Sequence, residues 1–390
     1  MTSKPVAGKA ADADRRPVPP PRPALGRNAT AAAAATATVS AASLATDTAP
    51  GTATRDRNRT ATRAALTAGL LVALFAAVCA SLAIGTKSVP LSDVLSAITG
   101  GTDGDAVVVR ELRMPRTFLG LIVGVALGAA GAVAQDITRN PLGDPGLIGI
   151  SAGGSFAVAL SIGALGLTSP YQYIWFAFLG AALAGLLAYA VGGTGYGGAT
   201  PAKLALAGAA VTVLLDAGTN TLVLLDVRTL DQYRFWAVGS LAGRDSGLAL
   251  TLLPFALVGL LLALGLSGRL NALALGDDLA SSLGTKVRTT RALGAVAVIL
   301  LAGTAVAAAG PVTFIGLVVP HIVRAFTGPD ARWLVPCSAV GGAALVLTAD
   351  VVGRMVARPG ELEAGVVTAL LGAPFLALLV KRGKLKEHTR

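Results

Sequence analysis

From about residue 64 onward the chain alternates between long apolar runs and short polar breaks. Ten runs stand out, near 64–85, 117–136, 147–166, 172–192, 203–225, 247–267, 291–309, 312–327, 333–352 and 364–381. Most hold about 18 to 24 residues, enough for a helix to cross a hydrocarbon core about 30 Å thick. The pattern predicts an all-α integral membrane protein of about ten transmembrane helices. The seventh and eighth runs are divided only by the Gly310-Pro311 turn signal, so a miscount there would move the C-terminus to the other side. The membrane domain is expected over 63–382, followed by a basic tail at 383–390. Residues 1–62 are rich in Ala, Thr, Pro and Arg. With so few large apolar side chains they cannot offset the entropy of ordering, and a disordered tail is expected. That stretch is too long and polar for the n-region of a cleaved signal peptide, so the first span should be retained.

Composition agrees. The 390 residues are 54% hydrophobic and 14% charged, with a mean hydropathy of +0.69, whereas soluble domains carry about 25% charged residues. The 48 glycines suit a many-helix bundle, because small residues let membrane helices approach closely. The net charge of +11 is not a nucleic-acid signature. Ten Lys/Arg precede the first apolar run and five lie in the last ten residues (Lys381, Arg382, Lys384, Lys386 and Arg390). Basic flanks mark the cytoplasmic side of a span; an even number of spans then puts both termini in the cytoplasm. That arrangement leaves Arg110, Arg113, Arg116, Arg228, Arg234, Arg244, Arg354 and Arg358 on outward connections, against the positive-inside trend. Either the topology is wrong or these arginines are kept outside for a purpose, and the second reading is preferred.

No catalytic or metal centre can be assembled. Cys79 and Cys337 lie in apolar runs far from any second thiol, and the histidines are His321 and His388; a lone His321 reads as structural. No GxxxxGK[ST] loop exists, since Gly85-Thr86-Lys87-Ser88 lacks the upstream glycine. Any ATP must be hydrolysed elsewhere.

The stretch Leu270–Gly284, LNALALGDDLASSLG, carries the most information. Leu270, Leu273 and Leu275 lead to Gly276, which can break a helix. Asp277 and Asp278 then fall in the first turn of a second short helix, where negative charge complements the dipole, and Gly284 closes it. Two short helices with a bend suit insertion into a groove on a partner; a helix lying on the membrane is the alternative. Arg269, Lys286, Arg288 and Arg291 favour a cytoplasmic position. Elsewhere, Gly120, Gly124 and Gly128 place a flat ridge on one face of the second span, read as tight packing rather than pore lining. Asn140-Pro141-Leu142-Gly143-Asp144-Pro145-Gly146 is an irregular break, tolerated at membrane depth only inside protein or along a watery cavity. Asp216 and Asp350 lie in apolar runs and need partners or water; Arg354 is four residues beyond Asp350 and suited to pair with it.

Four segments in register, 110–135 running into 140–151, then 270–284, 310–324 and 361–375, resemble the permease subunits of the iron-siderophore, haem and vitamin B12 family of ABC importers (FecCD-type permeases). The resemblance covers about 65–382. It implies a permease that forms the pathway for a ferric siderophore or related iron chelate in a bacterial plasma membrane, as a homodimer or heterodimer with a second permease. Separate ATPase subunits, which carry ATP and Mg, would drive it, and an extracytoplasmic binding protein would deliver the cargo. Neither nucleic acid nor a cofactor of its own is implied. The resemblance assigns ATPase coupling to Leu270, Asn271, Ala272, Leu273, Leu275, Gly276, Asp277, Asp278, Ser282, Leu283 and Gly284. It assigns binding-protein docking, through exposed ion pairs, to Arg113, Arg116 and Arg354, and a cytoplasmic gate to Asn140 and Leu142. Pro201 and Ala202 depart from the small polar residues a second half of that gate would carry. The alternative is an ion-coupled secondary transporter acting alone.

Overall fold

A computed structural model of the protein describes residues 50–387 apart from 86, 102, 103, 195–199 and 245. Residues 1–49 of the tail expected over 1–62, and His388, lie outside the described residues. The chain divides into two units, Met1–Asn58 and Arg59–Arg390, and the second holds the membrane domain.

Helix α1 runs over Pro50–Ala83, so the tail expected over 1–62 is helical from Pro50. The reason is local. Between Gly51 and Gly69 no glycine or proline interrupts the chain, Ala and Arg recur, and both favour a helix once an adjoining segment has nucleated one. Then come α2 (Leu91–Thr99), α3 (Gly104–Val108) and a π-helical turn (Val109–Arg113) that leads directly into α4 (Met114–Thr138). A 3-10 turn at Pro145–Ile148 precedes α5 (Ile150–Leu165), α6 (Pro170–Gly192) and α7 (Pro201–Leu225). The short α8 (Val227–Ala237) is followed by α9 (Ser246–Ala274), α10 (Asp277–Ser282) and α11 (Val287–Ala309). The chain ends with α12 (Ile315–Thr327), α13 (Ala331–Val356) and α14 (Ala364–Glu387).

Each of the ten apolar runs is a helix. Seven are long and apolar enough to cross a membrane; α5, α12 and α14 are apolar but have shorter apolar stretches. Gly310, at φ 80, separates α11 from the loop before α12, so the pair divided only by Gly310-Pro311 is two helices. Helices also form outside the runs. α2, α3, the π-helical turn and α8 were not anticipated; the start of α8 is set by Asp226, whose carboxylate accepts from the N–H groups of Arg228 and Thr229. The basic residues assigned to a tail from 383 continue α14 to Glu387, and α9 continues through Ala274.

Helix α4 is the axis of the bundle, almost wholly buried against α13, α11, α9 and α12. Its glycines explain the closeness. A Cβ on Gly124 would overlap the Ala343 backbone of α13, and one on Gly128 would overlap the Ser338 carbonyl. Gly342 in turn faces the Gly124 carbonyl. The ridge packs two backbones together, as the packing reading held. Helix α7 is the opposite case: it is mostly exposed, and its exposed residues include the polar Asp216, Asn220 and Thr221.

Candidate functional site

One end of the bundle is built on arginine. Arg116, near the start of α4, donates from Nε and Nη2 to Asp350 on α13 at 3.0 and 2.7 Å, and from Nη1 to Glu361 at 2.6 Å. Arg354, one turn beyond Asp350, reaches its other oxygen at 3.0 Å and donates to the Ser81 carbonyl and hydroxyl at 3.1 Å. Ser81 also meets Thr117 at 2.8 Å, which draws α1 into the same network. A carboxylate between two guanidiniums is satisfied in a setting where a lone charge would be very costly. The expected Asp350–Arg354 pair is present; the Arg116 partner, on another helix, is added to it.

The three docking arginines were expected to make exposed pairs. Instead Arg113 is 6%, Arg116 9% and Arg354 2% exposed. Arg113 spends its donors on the Leu82 and Ala83 carbonyls at 2.7 and 2.8 Å and on the Lys87 carbonyl. The Leu82 and Ala83 carbonyls lie where α1 ends, which is why a cation lodges there. Arg110 likewise donates to the Ala97 carbonyl and Arg358 to the Gly85 carbonyl. Much of the arginine that the charge rule found out of place therefore ties loops to helix ends. The π-helical turn at Val109–Arg113 turns Arg113 toward α1 while Arg116 faces α13; such turns recur at functional sites. Arg113, Arg116 and Arg354 still line a cavity of about 730 Å³, together with Lys87, Glu111 and Arg244.

The other end holds the 270–284 segment. Its first half is not a separate helix but the last turns of α9, with Leu270 and Leu273 buried. Asn271 donates to Asp330 at 2.7 Å and accepts from the Ala331 N–H at 2.7 Å, which fastens α9 to the start of α13. Ala272 packs against the core. The break comes at Gly276, whose φ of 111 suits glycine alone. In α10 Asp277 is held by Arg291, at 2.9 and 3.0 Å, and by Arg139. Gly284, at φ 79, follows the helix. Asp278 and Ser282 face outward. Leu275, just before the break, and Leu279 and Leu283, in α10 and at its C-cap, are 59%, 58% and 65% exposed; Leu279 and Leu283, four residues apart, share one apolar face. Leu279 was not singled out from sequence, although that spacing is the signal for it.

Beyond α4 the irregular loop folds on itself. Asn140 Oδ1 accepts from the Leu142 N–H at 2.9 Å, and Asp144 Oδ1 from the Gly146 N–H at 2.8 Å. Desolvation pushes the Asp144 carboxyl up to about 6, although the Gly146 hydrogen bond opposes this. Asp144 lines a second cavity of about 480 Å³ with Ser151, Ser155, Thr212 and Asp216. Pro201 occupies the first turn of α7, capped by Thr200, so its departure from a polar pattern coincides with a helix start. His321 sits edge-on to Phe375, ring centroids 5.9 Å apart.

A helical bundle with an arginine-lined mouth at one end and an apolar face held out at the other defines a membrane transport protein. The chain belongs to the FecCD transport family, whose model matches residues 71–382. It is 44% identical over 323 residues to the ferric enterobactin transport system permease protein of Escherichia coli (strain K12), covering 82% of this chain and 96% of that one. It is 38% identical over 327 residues to the iron(3+)-hydroxamate import system permease protein of Bacillus subtilis (strain 168), covering 81% and 84%. To the hemin transport system permease protein of Yersinia pestis it is 38% identical over 281 residues, covering 70% and 82%. Among solved structures, an inward-facing conformation of a metal-chelate type ABC transporter aligns with a TM-score of 0.71 at 29% identity, over 82% of this chain and 99% of that chain. The protein is a permease subunit of an ABC importer.

Proposed function

We propose that this permease carries a ferric siderophore or a related iron chelate across a bacterial plasma membrane, with both termini in the cytoplasm. An extracytoplasmic binding protein delivers the cargo to the arginine-lined mouth. Separate ATPase subunits, holding ATP and Mg, press on α10 from within. The observation that carries the reading is the exposure of Leu275, Leu279 and Leu283 around the Gly276 bend, on a segment anchored by Leu270, Leu273 and Asn271. Apolar side chains held out on a rigid base suit a groove in a soluble partner.

Two further features support the assembly. The polar residues Asp216, Asn220 and Thr221 on exposed α7 are costly against lipid, which favours a second permease subunit or a watery pathway there. At the mouth, Arg113, Lys87 and Arg244 line the 730 Å³ recess, so carboxylates of a binding protein that enters it meet cations, while Arg116 and Arg354 support from behind. Such charges act on encounter and register more than on affinity. Asn140 and Leu142 remain our choice for the narrow point of the cytoplasmic side. The siderophore reading draws on the enterobactin and hydroxamate permeases among the relatives.

The test is co-purification in mild detergent from the native host, followed by uptake into proteoliposomes. The permease is expected to bring an ATPase with it and to accumulate ferric siderophore only when ATP and a binding protein are supplied. Accumulation against a gradient by the purified chain alone would overturn the reading in favour of an ion-coupled transporter.

A further inference from the structure

Arg139 occupies the point where α4 meets the coupling segment. It is the residue that ends α4, and its backbone is left-handed at φ 47 and ψ 34, a conformation rare for a side chain other than glycine. From there Nε donates to the carbonyl of Leu273 at 2.9 Å, in the last turn of α9. Nη2 grips Asp277, the first residue of α10. One guanidinium therefore straddles the bend at Gly276, one hand on each side. Asp277 is also held by Arg291 at the start of α11. Three residues behind Arg139, Asp136 accepts from Arg324 of α12 at 2.9 Å, so the inner end of α4 is itself fixed.

Helix α4 is a rod of 25 residues, about 37 Å at the rise of an α-helix. Close backbone contacts with α13 and α12 run along it at Gly124, Gly128 and Gly131. Near its far end Arg116 grips Asp350. An interior packed this way transmits a displacement rather than absorbing it.

We propose that Arg139 is the positioning residue through which movement of α10 reaches α4 and, along it, the arginine-lined mouth. The proposal rests on the reading that ATPase subunits grip α10. Pushed α10 carries Asp277 with it; Asp277 draws the Arg139 fork; the fork draws the end of α4. Without that fork the direct polar link from α10 to α4 is lost, and only the packing of α9 and α11 on α4 remains. Charge alone is insufficient, because a lysine has one compact donor group and cannot hold both the Leu273 carbonyl and Asp277 in the same planar grip.

The experiment uses the complete transporter, purified with its ATPase subunits and binding protein and reconstituted in liposomes. Arg139→Gly removes the side chain while suiting the left-handed backbone, and Arg139→Lys keeps the charge. Three quantities are read: ATPase retained on the permease, ATP hydrolysed, and ferric siderophore imported per ATP. Arg139→Gly should retain the ATPase and hydrolyse within about twofold of the parent, while import per ATP falls about tenfold or more; Arg139→Lys should fall between. Unchanged import per ATP in Arg139→Gly overturns the proposal. So does loss of bound ATPase in that variant, which would make Arg139 an anchor rather than a transmitter. Leu279→Glu separates this from the coupling reading itself: if that variant also keeps its ATPase and its import, the apolar face is not the grip, and the reading beneath the proposal fails whatever Arg139 does.

Discussion

Asp350 lies 2.7 Å from Arg116 Nη2, a contact between residues 234 positions apart that joins α13 to α4. Arg354 closes on the same carboxylate from one turn away. The low dielectric of a buried site strengthens such attraction and also magnifies the cost of breaking it.

Asp350→Ala is therefore expected to be among the most damaging single changes, since buried Arg354 loses its counter-charge and Arg116 keeps only Glu361. Removing one member of a buried pair costs about 3–5 kcal/mol. Ser81→Ala, which takes away a neutral hydroxyl from the same network, should cost about 1 kcal/mol. Unfolding midpoints in detergent would rank them; equal losses would mean the ion pair adds nothing.

The glycine contacts give a second contrast. Gly124→Ala forces a Cβ into the Ala343 backbone and should destabilise by about 1–3 kcal/mol, as overpacking does. Gly69→Ala on α1 has nothing within 4 Å and should be neutral or stabilise by about 0.5–1 kcal/mol. The same midpoints check both.

Leu279→Glu should leave those midpoints unchanged, because the side chain is exposed, yet strip the ATPase from the purified permease. Leu273→Glu, at a buried position one turn before the break, should unfold the end of α9. Size-exclusion profiles tell a folded permease without its ATPase from an aggregated one.

Asp144 gives a pH prediction. Its carboxyl titrates near 6 when folded, above its usual 3.8, so the folded state holds the proton more tightly than the unfolded one. Stability should fall as pH rises from about 4 to about 6, then stay level. Asp144→Asn keeps an oxygen for the Gly146 N–H and should flatten that slope in thermal unfolding between pH 4 and 8. A slope retained in the variant would assign it to another group.

What could be read from the chain follows from the range of the interactions. Ten helices were legible because each carries its own hydrophobic run. So were Gly276 and Gly284, which need local backbone freedom, and the Asp350–Arg354 pair, which lies within one turn. Arg113 and Arg116 were misjudged as exposed because the groups they serve, the end of α1 and the side chain of Asp350, are distant in sequence. Helix α8 was hidden because it is short and polar, and the last turns of α9 because its run loses hydrophobicity before its hydrogen bonds stop. Leu279 was within reach, since it lies four residues before Leu283 on one helix face.

The π-helical turn at Val109–Arg113 carries a consequence for how this segment can vary. It accommodates one residue more than a regular helix would over the same path. Deleting a single residue there would wind the stretch into an ordinary helix over the same path and leave its flanks in register, whereas inserting a further one would turn everything before it by about 100° against α4, taking the Lys87 carbonyl off Arg113. Length in these five positions is thus constrained in one direction: a substitution or deletion at an outward-facing position such as Leu112 should pass, while an insertion should disconnect α2 and α3 from the rest of the permease.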